Sequence, residues 1–221
     1  MHRKSISSGY GKERKWIVAQ KPGMHPKSYS IPLLLLVRNL LSYADNAKET
    51  KSLINRGEIL VDKKPRRDYQ FVVGLMDVVE IPKTKEQFRV LPGRKGLILK
   101  KIDGKESEIK LCKILDKRTL KKGAMQLNLH DGSNILVDKG AYKTNDTVIL
   151  KLPERKIEET LKFDKGATVM VVKGRHSGKT GKIKEILKAT ISRKSLTTVD
   201  DLQTLTDYVF VIGADKPAIT V

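Results

Sequence analysis

The longest apolar run in this chain, residues 33–37, is only five residues. That brevity constrains the fold more than any other feature. A membrane-spanning helix needs roughly 18 or more apolar residues in succession, so no span is expected. Beyond residue 86 the apolar stretches are short, at 97–99, 109–114, 126–129, 135–137 and 148–152. Asp103-Gly104, Lys122-Gly123, Asp131-Gly132 and Lys139-Gly140 lie between them. Short strands at such spacing, separated by turn dipeptides, predict a small barrel or sandwich. A length of 221 residues allows one domain or two or three small ones, and 39% hydrophobic residues suffice for packed cores.

Charge narrows the partner. Lysine and arginine total 45 against 25 acidic residues, a net +20 with pI ≈ 9.9. The excess is spread over the chain: +6 in 1–30, +3 in 31–85, +6 in 86–160 and +5 in 161–221. A charge this large and this evenly spread points to a polyanion, with nucleic acid ahead of an anionic membrane surface. The last segment is uneven, however. Residues 161–194 hold 10 basic and 2 acidic residues, and 195–221 hold 1 and 4. A polyanion contact is therefore expected in the first stretch and not in the second. The single Cys112 excludes an internal disulfide framework and a multi-cysteine zinc site, and fits a reduced compartment. The first 30 residues lack the apolar stretch of a secretory signal.

Residues 1–30 show little apolar periodicity, and alone in water such a basic segment is expected to be poorly ordered. Its Arg14 and Lys15 stand beside Trp16 as candidate RNA contacts. A helix is predicted from Ser30 as N-cap, through Pro32 in the first turn, to about Tyr43. Leu33, Val37, Leu40 and Ala44 would line one face, widened by Leu36 and Leu41. Asn46 and Glu49 have capping-box spacing for a second helix ending near Asn55, with Gly57 as its C-terminal stop. Strands follow at 59–61 and 78–81, with a turn at 62–65. Further strands are expected at 168–172 and 182–186 around a glycine-rich turn, and at 208–212.

Two strings carry the functional argument. Ile54-Asn55-Arg56-Gly57-Glu58-Ile59-Leu60-Val61-Asp62, followed by Gly74-Leu75-Met76-Asp77-Val78-Val79, resembles the S-four RNA-binding domain. In that domain two short helices present basic residues to RNA and pack on a small sheet. Carried over by position, the resemblance implies RNA-facing roles for Arg38, Lys48, Lys51, Arg56, Lys63, Lys64, Arg66 and Arg67. The string 166–183 resembles the KOW motif, a strand–loop–strand within an SH3-like barrel. Alternating Val169, Val171 and Ile183 can face a barrel core. Gly174, Gly178 and Gly181 permit a tight loop with exposed N–H groups. Lys173, Arg175, Lys179 and Lys182 place charge at its tip, with His176 beside them to stack or hydrogen-bond.

Catalytic motifs are absent or misleading. Gly178-Lys179-Thr180 ends like a phosphate-binding P-loop, but that motif needs four residues between its glycines and a helix after the Thr. Gly174 and Gly178 enclose three, and the segment that follows is β-patterned. His2, His25, His130 and His176 show no metal-ligand spacing. His130-Asp131-Gly132 reads as a turn, and Cys112 as a core residue. No nucleophile elbow appears. The Gly-Arg-Leu-Asp motif of pseudouridine synthases that carry S-four domains is also missing.

The order of these features is similar, over nearly the whole chain, to the e-type family of small-subunit ribosomal protein four, found in archaea and eukaryotes. Pro32-Leu33-Leu34 with Arg38-Asn39, Leu111-Cys112-Lys113, Asn145-Asp146-Thr147, Lys162-Phe163-Asp164 and Phe210-Val211-Ile212-Gly213 add to it. The chain stops at Val221 without the long basic tail of eukaryotic members, so an archaeal-type member is expected. Residues 204–208 lack the basic residue often found before the Phe-Val-Ile-Gly strand, so no RNA contact is expected there. The resemblance implies an α+β, β-rich multidomain protein. Its parts would be a basic extension (1–30), an S-four-like α/β RNA-binding domain (31–85), a small central β domain (86–160) and a C-terminal SH3-like β-barrel with the KOW loop (161–221). The implied function is a structural constituent of the small ribosomal subunit, without enzymatic activity or cofactor. Such a protein binds ribosomal RNA beside neighbouring ribosomal proteins, in the cytoplasm and on the ribosome. The alternatives are a free-standing KOW or S-four RNA-binding or transcription-associated factor, and an RNA-modifying enzyme.

Overall fold

The computed structural model describes His2 and residues 15–94, 96–120, 123–138, 140–191 and 193–221. The described residues form two compact units. One runs up to Lys110 and includes Lys151–Arg155; the other is Leu111–Leu150 with Lys156–Val221. Part of the expected central segment 86–160, residues 86–110 and 151–155, lies in the first unit. No helix among the described residues is long and apolar enough to cross a membrane.

In the first unit, β1 (Ser30–Pro32) is a strand where a helix start was expected. It pairs antiparallel with β4 (Val72–Gly74). The reason is local: the ring of Pro32 disfavours helical backbone at Ile31. Ser30 is not an N-cap, and its hydroxyl donates to the Pro26 carbonyl at 2.9 Å. Helix α1 (Leu33–Leu35) starts directly after Pro32 and widens into a π-helical turn, Leu36–Leu40, and the chain then turns away at Ser42 with φ 54°. The five apolar residues 33–37 are all buried rather than forming one stripe, so core surrounds the helix on every side. Each contributes about 1.5–3 kcal/mol over an exposed position. Helix α2 (Ala47–Asn55) matches expectation. The Asn46 side chain accepts from the N–H groups of Lys48 and Glu49 at 3.1 and 3.0 Å, and Gly57 follows with φ +75°.

A five-stranded antiparallel sheet completes the unit. It is ordered β3 (Lys64–Pro65), β2 (Leu60–Val61), β5 (Val78–Ile81), β6 (Glu86–Gly93) and β7 (Gly96–Lys101). Asp62 and Lys63, both at positive φ (52° and 62°), join β2 to β3 as a two-residue primed turn. The chain before β1 is not a loose extension from Trp16 onward. Ile17 and Val18 pack on the apolar core. Buried Gln20 donates to the Ser30 carbonyl at 2.9 Å.

The unit also buries charge. The Lys110 ammonium, 1% exposed, lies 2.6 Å from both Asp62 Oδ2 and Asp77 Oδ1. His25 Nε2 donates to the Asp77 carboxylate at 3.0–3.1 Å. The His25 ring sits against Gly74, where a Cβ would come within 2.3–2.6 Å of its atoms. Only glycine admits the ring there. The two carboxyls are tuned apart. Burial pushes Asp77 up, but Lys110 and His25 outweigh it and hold it well below the usual range. Burial and the Asp77 charge push Asp62 up, against Lys110. Fully buried Arg89 donates through Nη2 to the carbonyls of Glu106 and Ile109 at 2.7 and 2.9 Å.

The second unit carries two antiparallel sheets. The first is ordered β10 (Asn134–Val137), β9 (Met125–Leu129), β8 (Ile109–Thr119), β11 (Thr147–Lys151) and β12 (Lys156–Leu161). Cys112, Ile114, Leu127, Leu129, Val148 and Leu150 form its core, so Cys112 is a core residue as expected. Asp131 caps its turn by accepting the Ser133 N–H at 3.0 Å. The second sheet is ordered β16 (Leu202–Leu205), β15 (Leu196–Val199), β14 (Thr180–Leu187), β13 (Thr168–Val171) and β17 (Val209–Gly213). Irregular register at residues 168/169 and 183/185 curls it toward a barrel. Val169, Val171 and Ile183 face its core, but Met170 is equally buried. β13 is covered on both faces, so strict alternation fails.

Lys113, 4% exposed, donates to the carbonyls of Val209 (2.8 Å) and Thr206 (3.3 Å). Burial pushes it down from 10.5 to about 8; Asp207 opposes that shift and Lys173 adds to it. The unfolded chain thus holds this proton between pH 8 and 10.5 where the folded chain does not. Stability therefore rises with pH through that window, by at most about 1.4 kcal/mol per unit. The difference in unfolding free energy between wild type and Lys113→Met is expected to climb from pH 8 to 10. A flat difference would contradict the assignment.

Candidate nucleic-acid interface

Both units display cations, built on different elements. In the first, α2 carries Lys48 and Lys51 with Arg56 at its C-cap, and the chain after β3 sets Arg66 and Arg67 beside that end. Lys48, Arg56, Lys64 and Arg67 are exposed. Lys51 and Arg66 are half-buried, because each lies over a ring. Lys51 Nζ is 4.3 Å from the Tyr69 centroid, and Arg66 Cζ is 4.3 Å from that of Phe71. Such contacts contribute about 0.5–2 kcal/mol and hold the cation in place. Arg38 is half-buried and donates to Asn39 Oδ1 at 2.8 Å. Lys63 differs: its ammonium lies 2.7 Å from Glu80 and 2.9 Å from Ser107 Oγ. It is spent inside the unit and leaves the set of candidate RNA contacts.

An open groove of about 560 Å³ runs beside this cluster, lined by Lys21, Asn55, Arg66, Asp68, Tyr69 and Phe71 among others. Asp68 accepts from Lys21 Nζ at 2.6 Å and from the Gln70 N–H at 2.9 Å. Burial pushes its carboxyl up, but these two donors outweigh it and hold it below the ordinary value. Lys21, Asn55, Tyr69 and Phe71 were missed in the sequence. The available signal was two aromatics flanking Gln70 just after Arg66-Arg67, a basic cluster interleaved with rings.

In the second unit the loop 172–179 joins β13 to β14. Gly174 and Gly178 have φ near +85°, a conformation that favours glycine. Part of the loop's N–H set is spent inside the loop. Gly178 N–H donates to the Val171 carbonyl at 2.8 Å, Lys179 N–H to His176 at 3.1 Å and Ser177 N–H to Gly174 at 3.2 Å. A strand follows Thr180, which removes the P-loop reading. Arg175 and Lys179 are exposed, while Lys173 and His176 are half-buried. Lys182 lies 3.6 Å from Asp215, and Lys184 lies 2.8 Å from Asp201. The acidic end of the chain therefore flanks the cations of β14 rather than occupying a separate face. Lys15 is exposed, its ammonium 5.7 Å from the Trp16 ring; Arg14 lies outside the described residues. Among the described residues no cluster of His, Cys, Asp or Glu is arranged to hold a metal ion.

This is the architecture of a basic, β-rich protein that displays cations on both of its units. The chain matches the ribosomal family S4e over residues 84–157 and the KOW motif over residues 165–193. It is 46% identical over 218 residues to the small ribosomal subunit protein eS4 of Methanothermobacter thermautotrophicus, covering 95% of this chain and 88% of that one. It is 43% identical over 223 residues to the protein of the same name from Aeropyrum pernix, with the same coverage. The crystal structure of the 30S ribosomal protein S4e from Thermoplasma acidophilum superposes with a TM-score of 0.76 at 30% identity, covering 85% of this chain and 97% of that chain. The chain belongs to the ribosomal S4e family.

Proposed function

We infer that the chain is a structural constituent of the small ribosomal subunit and binds ribosomal RNA. The observation that carries this is family membership: relatives named small ribosomal subunit protein eS4 share 41–46% identity over 94–95% of the chain. The physical work is electrostatic. Exposed lysines and arginines displace counterions from folded RNA, and no covalent chemistry is required. The RNA-contacting groups we assign are Lys15, Arg38, Lys48, Lys51, Arg56, Lys64, Arg66 and Arg67, with Lys173, Arg175, His176, Lys179 and Lys182 in the second unit. Neighbouring small-subunit proteins and a cytoplasmic location complete the reading. A tagged copy is expected to co-sediment with small subunits and to stay bound through a high-salt wash. Release at moderate salt into the ribosome-free fraction would favour a free-standing RNA-binding factor instead.

A further inference from the structure

We propose that the groove between the end of α2 and residues 65–71 receives an unpaired RNA nucleotide, its base edge read by Asp68 and Asn55. This rests on the RNA-binding reading above and adds the kind of RNA.

Shape comes first. The groove, about 560 Å³, has the size of sites that take one small ligand. A duplex shows its phosphates and a shallow minor groove, and cannot offer a base face and Watson–Crick edge to this open groove. A looped-out or bulged base can.

The chemistry then separates a base from a phosphate. The groove and its rim are cationic: Lys21, Arg66 and Arg67 line it, and Lys51 lies over its Tyr69 wall. The interior is not uniformly so, because Asp68 lies in the lining and is held ionised by Lys21 and the Gln70 N–H. A phosphate held by Lys21, Arg66 and Arg67 would leave the Asp68 acceptor unused. A base carrying N–H donors, guanine above all, finds in Asp68 an acceptor with lone pairs to spare and in exposed Asn55 an amide able to donate or accept. Flanking phosphates would then rest on the rim cations. The third element is a stacking plane. Arg66 is laid over Phe71, and unstacked bases in RNA complexes stack on guanidinium planes and aromatic rings.

The test uses the full chain and three RNA hairpins of one sequence, each closed by the same non-nucleotide linker so that no loop base is present: fully paired, with one bulged guanosine, and with an abasic bulge at the same position. Binding is read by fluorescence anisotropy. The guanosine bulge is expected to bind at least about tenfold tighter than the paired hairpin, with the abasic bulge close to the paired form. Asp68→Asn keeps an oxygen for the Gln70 N–H but removes the charge. It is expected to abolish the advantage of the guanosine bulge while the paired hairpin binds at least as tightly as before, because Lys21 is freed, which also reports that the variant is folded. Equal affinity for the guanosine-bulged and paired hairpins would overturn the groove assignment alone. An abasic bulge bound as tightly as guanosine would overturn base reading. Failure to bind any of the three would overturn the broader RNA-binding reading as well.

Discussion

Replacing Lys110 by Met is expected to destabilise the first unit by about 3–5 kcal/mol, because it leaves two buried carboxylates without their shared cation. Asp62 and Asp77 both lie 2.6 Å from that ammonium, and all three side chains are at most 3% exposed. Methionine fills the volume, so the loss reads charge rather than packing. Hydrogen exchange at β2 and β5 under mild denaturant reports this unit within the full chain. The triple variant Lys110→Met, Asp62→Asn, Asp77→Asn should recover much of the loss, since the asparagines can still accept the Val78 and Gly74 N–H groups that the aspartates accept now. A Lys110→Met chain within about 1 kcal/mol of wild type would show that the buried network contributes no net stability.

Neutralising the KOW loop should produce the largest change in binding. With Lys173, Arg175 and Lys179 all replaced by Ala, affinity for a small-subunit RNA fragment should fall about tenfold or more at moderate salt. The log–log salt slope should shrink by about two to three units. Stability should hold, since loop-tip charges contribute little to it. The control exploits the ion pairs of β14. Asp201→Ala with Asp215→Ala frees Lys184 and Lys182 and should tighten binding. If the loop variant and a matched triple Lys→Ala elsewhere on the second unit weaken binding alike, net charge governs and the loop is no contact face.

Part of this was legible residue by residue. Asn46 and Gly57 bracket α2 because caps act within one turn, and local chemistry suffices to place them. The strand–loop–strand at 168–187 announced itself through alternating valines and glycines at the bend. The sites were less legible. Lys48, Arg56, Arg67, Arg175 and Lys179 stand exposed as the charge pattern suggested, but the same pattern made no distinction between them and Lys63, Lys110 or Lys113. A lysine's sequence context does not record which carboxylate or carbonyl the fold will bring to its ammonium. Asp62 is 48 residues from Lys110, and Val209 is 96 from Lys113.

The missed strands have the same cause. β6, β12, β15 and β16 are rich in charged and polar residues, and they become strands because a partner strand supplies their hydrogen bonds. β1 differs in part: Pro32 keeps Ile31 out of helical backbone, and β4 then supplies its hydrogen bonds. The sequence by itself determined the family, the helix caps, the loop glycines and the sign of the partner's charge, since each depends on neighbours in the chain or on composition. The tertiary structure alone decided which cations face solvent, which are spent inside, and where a groove opens among them. Those outcomes depend on residues tens of positions apart meeting in a low-dielectric interior, where one misplaced charge costs more than any local propensity can supply.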